Sequence, residues 1–126
     1  MKGYTLGKDY IRKEVEVEKI NGSCLKSMYD ILNCDTVNVR EFEVEGKYYD
    51  IWFDDEFLLK ERNKVATFLI DYGMYGKDII CGNWLILKSD EHGECTGLNE
   101  EDMEILRRYT ELNAMELRKY VYNMRK

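Results

Sequence analysis

The sequence predicts an α+β fold, a mostly antiparallel sheet with a short N-terminal helix and a long C-terminal helix. Three observations predict it. Apolar and charged residues alternate through Glu14-Val15-Glu16-Val17-Glu18, the period of a half-buried strand with one wet face. A nearly continuous apolar run from Ile79 to Leu87 has strand length and reads as a central strand. From Glu100 to about Arg125 the chain reads as one helix. Glu100, Glu101, Asp102 and Glu104 crowd its start and Arg118, Lys119, Arg125 and Lys126 its end, which complements the helix dipole.

The elements follow in order. The alternating strand lies within Ile11 to Ile20, and Asn21-Gly22-Ser23 then breaks it and offers a helix cap. Leu25, Met28, Tyr29, Ile31 and Leu32 recur at helical spacing, which places a short amphipathic helix at residues 23–33. A hairpin comes next. Val37, Val39 and Glu41 share a parity, and Phe42 and Val44 continue the strand, with a bulge as the expected reason for the change. Glu45-Gly46 turns the chain, Tyr48 to Phe53 returns, and Asp54-Asp55-Glu56 is a solvated turn. Residues 57–70 fit either two short strands around Glu61-Arg62-Asn63 or a helix. Tyr72 to Lys77 is a loop with two glycines and two exposed tyrosines, and Asp90 to Glu94 is a turn. Asn99 caps the last helix, with Asp102 three residues on, where a capping box ordinarily carries Glu or Gln.

Composition bounds the function. The 126 residues contain no proline, no linker and no repeat, so a single domain over 1–126 is expected. No apolar run approaches the ~20 residues of a membrane span. The first residues carry charges where an export signal needs an apolar stretch, so a soluble, cytoplasmic protein is expected. Cys24, Cys34, Cys81 and Cys95 form no CxxC pair and read as buried, reduced thiols. The net charge of −6, from 25 acidic and 19 basic residues, argues against general nucleic-acid binding. It leaves room for a local arginine pocket that holds a small phosphate ligand, or for an acidic face aimed at a basic protein.

Chemistry is sparse. His92 is the only histidine and sits in a charged turn. Cys95, and Cys81 across the expected turn, lack the paired spacing of zinc sites, and no nucleophile motif or phosphate loop occurs. No metal, cofactor or enzymatic activity is expected. What remains are arginines and aromatics, a pairing that holds a nucleobase and its phosphate. The candidate ligand-binding residues are Trp84, Asn83, Arg62, Arg107 and Arg108. The simpler alternative makes Trp84 core and gives Arg107 and Arg108 to Glu104 and Glu111 on the same helix.

The long helix raises a second question. At 1.5 Å per residue it is about 36–40 Å long, against a diameter of roughly 36 Å for a compact domain of this size. Met103, Leu106, Leu117, Tyr120 and Met124 follow near-heptad spacing, with Thr110 and Asn113 in the same stripe. A polar residue in such a stripe fixes register between paired helices. Leu106, Asn113, Leu117, Tyr120 and Met124 are therefore candidates for a homodimer interface. The alternative packs the stripe on the protein's own sheet, with Asn113 at an edge.

The order of segments adds a family resemblance. Phe53-Asp54-Asp55-Glu56-Phe57-Leu58, then Asp78 to Ile86, then Thr96-Gly97-Leu98-Asn99-Glu100-Glu101 resemble the phage and conjugative-element family catalogued as domain of unknown function 3846. Ile80, Gly82, Ile86, Leu98 and Asn99 carry the match over roughly residues 23–110, while Leu59 to Asn63 depart from the family's Gly-Leu-Pro-x-Asn-Arg segment. The resemblance implies a small accessory protein of a mobile element, without established catalytic residues. Such proteins often disarm host defence, by sequestering a nucleotide immune signal or by blocking the nucleic-acid site of a CRISPR or restriction effector. A structural or regulatory role in the mobile element is the third expectation.

Overall fold

The computed structural model describes residues 1–7, 9–56 and 65–124. The elements run β1 (Lys2–Leu6), β2 (Arg12–Glu16), α1 (Leu25–Leu32), β3 (Val37–Val44), β4 (Lys47–Asp54), β5 (Ala66–Asp71), a 3-10 turn (Gly73–Tyr75), β6 (Lys77–Cys81), β7 (Trp84–Ser89), β8 (Cys95–Thr96) and α2 (Glu100–Met124). A six-stranded sheet has the order β2-β1-β7-β4-β3, with the short β8 beside β7, and β5 and β6 form a separate hairpin. Every pairing is antiparallel, so the α+β architecture with its long C-terminal helix is as expected. No described helix is long and apolar enough to cross a membrane.

Both faces of the large sheet are covered, and this explains the parity change in β3. On one face α2 and the β5–β6 hairpin bury Tyr4, Phe42, Tyr49, Ile51, Trp84 and Ile86. On the other, α1 packs Met28 and Leu32 against Val17, Leu85 and Leu87. Val37 joins the second core and Phe42 and Val44 the first, so one strand is apolar at both parities. No bulge is needed: the register runs unbroken from Val37↔Asp54 to Val44↔Lys47. Glu45 and Gly46 both have positive φ (52° and 80°), the geometry of a type I′ hairpin turn.

The apolar run Ile79–Leu87 is not one strand. Gly82, at φ +81°, breaks it, so Ile79–Cys81 ends β6 in the small hairpin while Trp84–Leu87 enters the centre of the large sheet. Both halves are buried, and periodicity cannot reveal such a break. Ala66–Asp71 is strand, which resolves that part of residues 57–70; residues 57–64 lie outside the described residues. Nor is Asp54 solvated. It is buried, and its carboxylate accepts the Glu56 amide at 2.9 Å.

α2 starts at a reciprocal capping box. Asn99 Oδ1 accepts the Asp102 amide at 2.8 Å, and Asp102 Oδ2 accepts the Asn99 amide at 2.9 Å. The shorter aspartate therefore does the work usually given to glutamate. It is fully buried, and also accepts from Tyr49 Oη at 2.9 Å and Lys88 Nζ at 2.6 Å. Burial alone would raise this carboxyl's pKa; the bonds from Asn99, Lys88 and Tyr49 outweigh burial and hold it below the usual range. Tyr49, buried beside that carboxylate, is pushed well above the ordinary phenol.

The middle of α2 is spent within the chain. Leu106 is fully buried in the core. Asn113 Oδ1 accepts the Leu69 amide at 3.0 Å, and its Nδ2 donates to the Leu69 carbonyl at 2.8 Å. Asn113 thus completes the free edge of β5 and does not set register with a second helix. Leu117 is buried too, Tyr120 is half-buried under the Lys77 ammonium, and Met124 is exposed. Of the stripe read as an interface, only the last turns remain open.

Candidate functional site

The residues proposed for a ligand pocket separate in space. Trp84 is 1% exposed, wedged between Tyr4 and Phe68 with ring centroids 6.2 and 5.6 Å away. Its indole N–H points to the Thr67 carbonyl at 3.4 Å. It is a core residue, without a free face for a base. Asn83 is half-buried at the Gly82 break, and Arg62 lies outside the described residues. Arg107 pairs with Glu14 of β2 at 3.0 Å, and Arg108 with Glu45 of the β3–β4 turn at 3.8 Å. The two arginines therefore reach toward opposite edges of the sheet, and neither pairs with Glu104 or Glu111. Asn83, Arg107 and Arg108 do not converge on Trp84.

A different set does converge. Where the β1–β2 turn meets the second half of α2, a groove of about 270 Å³ opens over the buried edge of Trp84. Leu6, Leu117 and Thr67 help form its walls. At its rim stand Tyr10, Arg12 and Arg118. Tyr10 is 51% exposed and holds φ +58°, a left-handed conformation that bulky side chains seldom adopt. The turn that imposes it is closed by the Tyr10 amide on the Gly7 carbonyl at 3.0 Å and the Ile11 amide on Asp9 Oδ1 at 3.1 Å. Strain of this kind concentrates at ligand sites. Arg12 follows at the start of β2, and Arg118 is steadied by its Nε on the Ala114 carbonyl at 3.3 Å.

The described charged residues at this rim are cationic. Neither Arg12 nor Arg118 pairs with a carboxylate among the described residues, whereas Arg107 and Arg108 both do. Among the described residues, no acidic side chain lines the groove. In a chain of net charge −6 this is a local cationic site with an aromatic ring beside it. Such a rim can hold a planar ring against Tyr10 and an anionic group between two guanidiniums. The groove continues past Arg118 into an apolar trough of about 680 Å³ lined by Val65, Ile79, Leu117, Val121, Tyr122 and Met124.

The thiols lie elsewhere. Cys24, Cys34 and Cys81 are buried, and Cys95 sits beside Cys24. Burial first, then the neighbouring Cys24, pushes the Cys95 thiol up to about 11. His92 is exposed in the β7–β8 turn, 3.6 Å from Glu91. Among the described residues no group of three or more His, Cys, Asp or Glu side chains is placed to hold a metal.

A family model described as Domain of unknown function (DUF3846) matches residues 3–113. The chain belongs to that family. The match extends the sequence resemblance at residues 23–110 through β1 and β2, so it takes in Tyr10 and Arg12. It ends at Asn113, so Arg118 and the apolar trough's half of α2 lie beyond the family's matched stretch. Neither a comparison with curated proteins nor one with solved structures gives a match.

Tyr10, Arg12 and Arg118 were not among the ligand-binding candidates read from the sequence, where Arg118 entered only as a cation near the end of the last helix. One signal was available: Tyr10 and Arg12 share a parity at the start of an alternating strand, which puts both on one face. Nothing local in the sequence brings Arg118 to them.

Proposed function

We propose that this chain is a non-enzymatic binding protein of mobile-element origin that sequesters a small anionic nucleotide, with a nucleotide immune signal of the host as the intended ligand. One observation carries the reading: two guanidiniums without carboxylate partners among the described residues stand with an exposed, conformationally strained tyrosine at the rim of an aromatic-floored groove. Arg12 and Arg118 take the phosphate role assigned from the sequence to Arg107 and Arg108. Tyr10 supplies the stacking face, and buried Trp84 shapes the floor. The lining offers hydroxyls, guanidiniums and apolar surface, which suit holding a ligand.

The reading includes a homodimer in the host cytosol. The outward face of α2 exposes Leu112 (60%), Met115 (49%) and Tyr122 (63%), and Met124 (64%) opens onto the adjoining trough. A second copy laid along this face would extend the groove at Arg118.

The test is a thermal-unfolding panel of mononucleotides, cyclic dinucleotides and ADP-ribose cyclic products, run with Arg12→Ala and Arg118→Ala. A ligand at a hundredfold excess over its Kd stabilises by about 2.7 kcal/mol, several degrees in Tm for a chain this size. Each variant should lose most of that shift. The proposal fails if no nucleotide moves Tm, or if both variants respond as the parent does.

A further inference from the structure

The outer edge of β3, which no described strand covers, lies on the opposite side of the sheet from the groove of Tyr10 and Arg12. β3 is the last strand in the order β2-β1-β7-β4-β3. Its register fixes which main-chain groups face outward. Val44↔Lys47 closes the two-residue turn and is a hydrogen-bonded pair, so Phe42↔Tyr49 is the next such pair. The N–H and C=O groups of Glu41 and Glu43 therefore point away from β4, and no described main-chain partner takes them.

Natural sheets blunt such an edge with proline, a bulge or charged side chains. β3 runs for eight residues without proline or bulge, and the charges it presents at the edge are Glu41 and Glu43. It is flanked by a groove of about 520 Å³ that straddles the edge. Glu41, Glu43 and Tyr48 form one wall, and Asp71, Tyr72 and Tyr109 the other. Tyr48 and Tyr72 are 59% and 39% exposed. Tyr109 stacks on Phe42 at 5.4 Å and 15° and makes an apolar floor. Glu41, Glu43 and Asp71 have no basic partner among the described residues. Like charges keep two copies of this edge apart, while a cationic strand meets three carboxylates and three phenol rings.

We infer that the β3 edge accepts an extended, basic segment of a partner protein by strand addition. Main-chain bonds to Glu41 and Glu43 give the affinity, and the two faces of the sheet give the selectivity. Glu41, Glu43 and Tyr48 share one face, and Phe42 with Tyr109 the other. The segment that fits alternates, with lysine or arginine toward the first face and apolar residues over the second. An acidic edge of this kind covers the basic, nucleic-acid-binding strand or loop of an effector. The inference is independent of the nucleotide groove.

The experiment uses a synthetic peptide of about six residues, ordinary strand length, alternating arginine and valine. It is titrated into the full chain at low salt while amide exchange is followed by NMR. The amides of Glu41 and Glu43 should exchange more slowly on binding, while those of Phe42 and Val44, already bonded to β4, should change little. N-methylating the peptide's main chain should weaken it at least about tenfold, the worth of a pair of main-chain hydrogen bonds. Glu41→Lys with Glu43→Lys should abolish binding, and Arg12→Ala should leave it unchanged. Binding that ignores N-methylation, or leaves the two amides unprotected, overturns strand addition while retaining a basic-ligand site. No binding at low salt overturns the site itself.

Discussion

Replacing Asp102 by alanine strips four donors of one fully buried acceptor: the Asn99 amide, Lys88 Nζ, Tyr49 Oη and, at 3.8 Å, Lys47 Nζ. Losing half of the helix cap costs about 1 kcal/mol. The Tyr49 hydroxyl is left buried without its partner, at about 1–3 kcal/mol. Lys88 is 29% exposed and regains water, so the full cost of a broken buried ion pair does not apply. The sum is about 2–4 kcal/mol, or roughly 10 °C in Tm. Asparagine is milder. Its oxygen can serve Lys88 and Asn99 while its amide donates to the Tyr49 oxygen, which leaves about 1.5–2 kcal/mol for the lost charge. The assay is urea unfolding of parent, Asp102→Asn and Asp102→Ala from neutral to acid pH. The folded-state pKa of Asp102 is lowered, so its contribution is fully present above the unfolded carboxyl's pKa and is lost as pH falls through the folded value. The gap between parent and Asp102→Asn should therefore close in strong acid. A gap that is constant down to the acid limit, or an Asp102→Ala cost under about 1 kcal/mol, refutes the reasoning.

Three further outcomes are expected. Asn113→Ala should cost about 2–3 kcal/mol by orphaning the Leu69 N–H and C=O, and the Leu69 amide should then exchange faster than its β5 neighbours. Gly3→Ala should destabilise by about 1–3 kcal/mol, because an added Cβ meets Leu85 Cδ1 at 2.9 Å and Leu87 Cδ2 at 3.2 Å; chemical denaturation measures it. Sedimentation of the parent should report a dimer, and Leu112→Glu with Tyr122→Glu should shift it to monomer, removing the dependence of the urea midpoint on protein concentration that a dimer confers.

Much of the fold was legible because local signals agreed with tertiary need. Glu45-Gly46 supplies a turn that only left-handed residues allow, and Asn99 with Asp102 caps a helix whose charges already run the right way. The failures share one physical cause. β1 has a glycine in a five-residue strand, and the pattern of Lys2–Leu6 is weak; it is a strand because it fits between β2 and β7. Residues 79–87 are apolar on both sides of Gly82-Asn83, so the two-residue turn signal is outweighed by a run that reads as one strand, although the chain there passes from one sheet to another. The site was harder still. Sequence reasoning favoured arginines near aromatic neighbours, but Arg107 and Arg108 are taken by Glu14 and Glu45. Arg12 and Arg118 meet only because a hairpin turn and the end of a long helix fold to the same corner.

The place of β1 also governs when the protein can form. The Thr5 hydroxyl donates to the Trp84 carbonyl at 2.7 Å across 79 residues of sequence. β1 therefore finds one of its two neighbours only after β7, 79 residues further along at Trp84, has been made. Until then β1 and β2 form a two-stranded ribbon, which is marginal alone, with Tyr4 and Leu6 uncovered. β3 and β4 pair locally through their tight turn and are available early, but β7, the other neighbour of β4, comes later. Folding of the large sheet thus waits for β7, and its long-range pairings make it slow for a chain of this length. Conditions that stall synthesis between β4 and β7 should yield aggregation rather than a partly working protein.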